Sequence, residues 1–260
     1  MSAVLAVKLL AAPALIGLAS LAGRRWGPQV AGLLGGLPLV AGPVLVALWL
    51  SDGAGYAREI AHAAPAGVWA NIVYMLAVGH GSRHLPWFLL IPLSWLAYLL
   101  VALLIERTGL AHSVVLGLGV IPALWLAARY GLPDSAGPVS KPPLPQVELL
   151  ARMAAAALLV LGLTAAARGL GPTLTGLLAG APVAAVVIPA FTLALAGRAA
   201  LLQVLRGFLI GLMGFAVFFL LLAATMESLG AWAFLPALLG GLLTGALAAP
   251  GTRARPTVRA

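Results

Sequence analysis

The chain contains no cysteine, which excludes disulfides, thiolate nucleophiles and thiolate metal sites. Charge is nearly as scarce: Asp, Glu, Lys and Arg together make up 8% of 260 residues. Soluble domains carry about 25% charged residues, so this composition cannot cover a surface that faces water. Asp52, Glu59, Glu106 and Glu227 all stand at the ends of apolar runs. None occupies the mid-membrane position of a proton carrier. G-x-S-x-G, Walker A and zinc-ligand spacings are missing too. No catalytic residue, metal or cofactor is therefore expected, and ATP-driven work would need a separate chain.

What is present is apolar. Hydrophobic residues reach 63%, with 31 glycines and 19 prolines. This reads as an all-α integral membrane protein, whose lipid partner is the bilayer itself. A crossing helix needs about 20 mostly apolar residues. Runs of that kind lie at 3–22, 28–50, 60–80, 85–105, 110–129, 148–167, 172–196, 203–225 and 230–249, which predicts about nine transmembrane helices. The first run has small residues like those of a signal-peptide cleavage site. Lys8 lies inside that run, however, and the repeat described next needs the segment, so it is expected to be retained. The net charge of +9 is a matter of loop charge and orientation, not of nucleic-acid binding.

Residues 27–38 read GPQVAGLLGGLP and residues 171–182 read GPTLTGLLAGAP, an offset of 144. The same ungapped offset pairs Lys8 with Arg152, Arg24 with Arg168, His62 with Arg206, Gly67 with Gly211 and Pro92 with Pro236. Two homologous four-helix units follow, at 1–105 and 147–249. A linking helix occupies 106–130, a Pro-rich linker 131–146 and a basic tail 250–260. Five crossings separate equivalent starts, so the second unit enters from the opposite face. Inverted repeats with Gly/Pro-broken helices recur in secondary transporters, whose substrate sites lie between the repeats.

Loop charge sets the orientation. One side collects Arg24, Arg25, Arg83, Arg129, Lys141, Arg152, Arg198, Arg206, Arg253, Arg255 and Arg259. The positive-inside rule makes that side cytoplasmic, with the N-terminus outside and the C-terminus inside.

The candidate site residues come from the repeat. Gly32, Gly36 and Pro38 recur as Gly176, Gly180 and Pro182. Glycines four apart share one helix face and either pack two helices closely or let a ligand approach. The prolines break the helix ladder, which membranes tolerate beside protein or a wet cavity. Lys8 and Arg152 either snorkel to the interface or line a vestibule that attracts an anion. His62 and Arg206 repeat that choice one helix pair later. Asn71 and Tyr74 are three apart, on one helix face. They could orient a substrate or supply one interhelical hydrogen bond, and Ser94 with Tyr98 invites the same two readings. His80 and His84 sit in GHGSRH, where the glycines favour a loop over a metal-binding helix.

The segment VKLLAAPALIGLASLAGRRWGPQVAGLLGGLPLVAG, with its early lysine, arginine pair and AGLLGGLP, resembles the opening of the GlpM-like small bacterial inner-membrane proteins. Similarity continues around Gly67 and at Leu85–Pro86, and extends faintly to 145–249 through the repeat. The resemblance implies a tandem-duplicated relative in a bacterial inner membrane, with Arg152 in place of the lysine. It implies no substrate. The residues themselves lead to a secondary transporter of a small or amphiphilic anion, with a homodimer as an allowed assembly. A structural subunit of a membrane complex is the alternative. So is a lipid-handling protein, for which His80, His84 and His112 are the available bases.

Overall fold

A computed structural model describes residues 3–134, 146–166 and 183–249. The described chain is all-helical. Its elements are α1 (Ala3–Trp26), α2 (Pro28–Gly36), α3 (Ala41–Asp52), α4 (Ala54–Gly81), α5 (Trp87–Arg107) and α6 (Val114–Leu126). They continue with α7 (Gln146–Ala166), α8 (Val183–Leu229) and α9 (Phe234–Ala248). Short 3₁₀ turns at Leu110–His112 and Gly230–Ala233 join α5 to α6 and α8 to α9, and α6 ends in a π turn, Ala127–Gly131.

Five stretches are long and apolar enough to cross a membrane: Pro28–Leu50, Ala54–Gly81, Trp87–Arg107, Val114–Gly131 and Ala184–Ala248. The last covers 65 residues, several times the ~20 that one crossing takes. It contains one of the apolar runs in full, all but the last residue of another and part of a third, so runs and helices do not correspond one to one. Burial ranks the stretches. Ala54–Gly81 and Ala184–Ala248 are each 72% buried in their most apolar window, against 22–33% for the other three. Helices α4 and α8 therefore form the centre, and α5 and α6 turn leucines and valines outward.

Glycines at three positions cut the helices. Gly27 (φ 104°, ψ 161°) separates α1 from α2, and Pro28 follows as the first helical residue, where its missing N–H costs nothing. Gly53 (φ 91°, ψ 171°) separates α3 from α4. Gly197 (φ 79°, ψ −177°) divides α8 into an arm at 183–196 and an arm at 198–229. This backbone region is open essentially to glycine alone. Gly53 and Gly197 also stand 144 residues apart, so the sequence repeat is matched by a repeated break. Gly53→Ala and Gly197→Ala are each expected to destabilise the fold by about 1–3 kcal/mol. Thermal unfolding in detergent micelles checks this, and a pair of silent variants would contradict the break.

The helices that follow these two glycines run antiparallel. Near the start of α4, Arg58 meets Glu227, near the end of the second arm of α8, at 3.2 Å. Near the other end, Arg198 Nε donates to Ser82 Oγ at 3.2 Å. Between them Gly79 faces Leu202 and Leu205.

Helix α2 lies along the second arm of α8 in parallel register, and both contact faces are glycine. A Cβ at Gly32 would overlap the Val204 carbonyl and stand 2.8 Å from Phe208 N; at Gly36 it would stand 2.5 Å from Phe208 O. From the other side, Gly207 meets Gln29 and Leu33, and Gly211 meets Leu33 and Gly36. GLLGG thus fits GFLIG glycine to backbone, the close approach that small residues permit in lipid.

At its C-terminal end α2 stops because Pro38 has no N–H to give to Leu34. Leu39 N–H turns instead to the Leu37 carbonyl at 2.8 Å, and the ladder resumes with Gly42 N–H on Pro38 O at 2.9 Å. Nine residues at ~1.5 Å rise give α2 a length of about 14 Å, under half a hydrocarbon core. The apolar run 28–50 is therefore two half-helices, with Pro38 buried at the junction. The second copy of this motif, with Gly176, Gly180 and Pro182, lies outside the described residues.

Candidate functional site

A cleft of about 410 Å³ opens where α4 begins, lined by Gly55, Arg58, Glu59, His62 and His112. Small residues set the position of its rim. Ala63 and Ala66 on α4 leave room for Ala111 of the 3₁₀ turn, and these three pack with Ile105 in a small apolar cluster. That contact carries the neighbouring His112 to the rim beside His62.

The connection from α5 to α6 is built firmly. Thr108 Oγ1 donates to Leu104 O at 2.8 Å. Gly109 turns the chain at φ 70°, and the Ser113 hydroxyl caps α6 by accepting from Leu116 N–H at 3.4 Å. Trp69 Nε1 then donates to Leu116 O at 3.0 Å and ties the first turn of α6 to α4.

Arg58 and His62 are four residues apart and share one face of α4. The Arg58 guanidinium meets Glu227 at 3.2 Å, with side chains 45% and 74% exposed. Such an exposed bridge is worth at most about 1 kcal/mol, so a competing anion can displace it. Among the described residues no three His, Asp or Glu side chains converge closely enough to hold a metal ion. The cleft is thus an open, amphoteric site with one guanidinium, two imidazoles and the carboxylate of Glu59.

The other sequence candidates lie elsewhere. Arg206 is on the opposite end of the α4–α8 pair, where its guanidinium donates to Pro133 O at 2.8 Å and stands 3.9 Å from Asp134. It holds the Leu132–Pro133 segment that follows the α6 π turn. His80 Nε2 reaches the same turn at Gly131 O, at 2.9 Å.

Arg152 is 8% exposed and donates to Glu148 Oε1 through Nη2 at 2.6 Å and Nε at 3.0 Å. The guanidinium also lies 5.2 Å from the ring centre of Phe191. Tyr74 is fully buried and donates to Ala185 O at 2.9 Å, which ties α4 to the first arm of α8; Asn71 is buried on the same helix. Ser94 and Tyr98 are buried in α5, with Tyr98 packed against Trp95. Lys8 belongs to α1, but its side chain lies outside the described residues, as does the whole of Gly176, Gly180 and Pro182.

The structure therefore does not bring the six substrate candidates to one place. His62 lines the cleft, Arg206 serves the opposite end, and Tyr74 and Arg152 each touch the first arm of α8. The residues not read as site candidates from the sequence are Arg58, Glu59 and Glu227 around His62, and Glu148 beside Arg152. Arg58–His62 and Glu148–Arg152 both carry a legible i,i+4 spacing. Compared with family models, curated proteins and solved structures, the chain matches none.

Proposed function

We propose that the protein is a secondary, non-ATP transporter of a small or amphiphilic anion, made of two inverted units in a bacterial inner membrane. One observation carries this reading. Helix α4 and the second arm of α8 are equivalent at the 144-residue offset, each follows a glycine in the same unusual conformation, and they run antiparallel at the centre of the fold. Equivalent helices of opposite direction are what an inverted repeat produces, and rocking of one unit against the other is how such repeats alternate access.

The finer topology belongs to the same proposal: nine crossings, N-terminus outside, cytoplasmic C-terminus, and descent by duplication from a GlpM-like unit. Charge supports the sidedness. Arg198, Arg206 and the Arg83 loop gather at one end, while Arg58 at the other end is offset by Glu59 and Glu227. The half-helices α2 and α3 add a break of the kind that lines transport paths.

The test is flux into sealed vesicles with a panel of organic anions, phosphates and lipid phosphates. Saturable, gradient-dependent movement of an unchanged anion is expected. Chemical turnover would point instead to a lipid-handling protein, and neither movement nor turnover to an assembly subunit.

A further inference from the structure

The cleft at the start of α4 carries more than a general preference for anions. We propose that Arg58, His62 and His112 form a phosphate-ester site, and that the Arg58–Glu227 bridge is the resting contact which the ligand exchanges for its own. The inference rests on the anion-carrier reading and deepens it by naming the substrate class and its port of entry.

The donors decide the chemistry. A guanidinium fork and two imidazoles offer more N–H groups than the two oxygens of a carboxylate can accept, and they suit the three free oxygens of a phosphate monoester. The site opens over the first turns of α4, where the helix dipole also favours an anion. Its volume of about 410 Å³ leaves room for the organic group on the ester.

Electrostatics make occupancy conditional. The charged and titratable groups facing His62 are Arg58 and Glu59 on α4, His112 on the 3₁₀ turn and Glu227 on α8. With both imidazoles neutral, Glu59 and Glu227 outweigh Arg58. With both protonated, three cations outweigh two carboxylates. Phosphate capture thus strengthens as the histidines gain protons, and Glu227 is the group whose removal frees Arg58.

Calorimetry on the full chain in phosphatidylcholine nanodiscs tests this without requiring transport. Methyl phosphate serves as the soluble ester and dihexanoyl phosphatidate as the lipid one. Wild-type protein is expected to bind at least one of them. Preference for methyl phosphate identifies a free ester, and preference for phosphatidate a lipid headgroup. Arg58→Gln is expected to weaken binding at least about tenfold, because a charge-assisted contact is lost. Glu227→Gln is expected to tighten it, a gain that misfolding cannot imitate.

Sulfate, whose charge stays fixed, is expected to lose affinity as pH rises, because the site then loses positive charge. The His62→Gln/His112→Gln variant is expected to show no such slope. Absence of binding by both esters overturns the site, as does Arg58→Gln affinity within twofold of wild type or weaker binding by Glu227→Gln. Binding that follows these rules without flux in vesicles would remove the transport reading and keep the site. Flux that ignores all three variants would do the reverse.

Discussion

Gly32→Ala and Gly207→Ala are each expected to leave little folded protein in the membrane, although each adds a single methyl group. A Cβ on Gly32 overlaps the Val204 carbonyl, and one on Gly207 overlaps the Gln29 carbonyl. These obstacles are backbone, held by their own helical hydrogen bonds, so neither can rotate aside. Relief requires α2 and α8 to separate, which opens the whole glycine-on-glycine contact through Gly36 and Gly211. Overpacking usually costs about 1–3 kcal/mol when side chains can adjust, and here they are not what must move.

Two other positions set the scale. At Gly35 an added Cβ would meet the Phe208 ring at 2.5 Å, a side chain that can shift, so Gly35→Ala falls in the ordinary overpacking range. At Gly42 the nearest atom is Phe218 Cζ at 3.6 Å, and Gly42→Ala is expected to be nearly neutral. Yield and melting temperature of the four purified variants measure the series. Equal behaviour at Gly32 and Gly42 would mean that α2 does not dock on α8 as described.

The sequence shows the glycine pairs but not their partners. Gly32 and Gly36 are visible as one helix face, and so is the four-residue spacing of Gly207 and Gly211, yet nothing in either segment says that the two meet. That is tertiary information. The membrane class is legible because composition alone decides where such a chain can live. The breaks are legible in part: Pro38 removes a donor wherever it stands, whereas Gly53 and Gly197 resemble many other glycines until their backbone angles are known. His112 reaches His62 through the packing of Ala111 on Ala63 and Ala66, a contact between segments that no spacing encodes. Glu148 is different. Its spacing from Arg152 is plain, but a reading that compares repeats passes over it, because the equivalent position in the first copy is Val4.

That carboxylate leads to the second large effect: Glu148→Ala is expected to destabilise the protein by about 3–5 kcal/mol, the usual cost of stranding one member of a buried ion pair. The Arg152 and Glu148 side chains are 9% and 14% exposed, so water can do little for a guanidinium left alone. The Phe191 ring, 5.2 Å away, offsets about 2 kcal/mol of that penalty. Removing both charges behaves differently, since a buried pair replaced by well-packed apolar residues is often neutral or stabilising. Glu148→Leu combined with Arg152→Met is therefore expected to melt within a few degrees of wild type, while Glu148→Ala alone melts far below it. Thermal unfolding of the three proteins in the same detergent is the measurement. A Glu148→Ala protein as stable as wild type would show that the pair is not buried as described. The double variant also separates two roles for the pair. If it folds and the proposed anion flux persists, the guanidinium only balances Glu148. If it folds and that proposed flux is lost, the pair serves more than the fold.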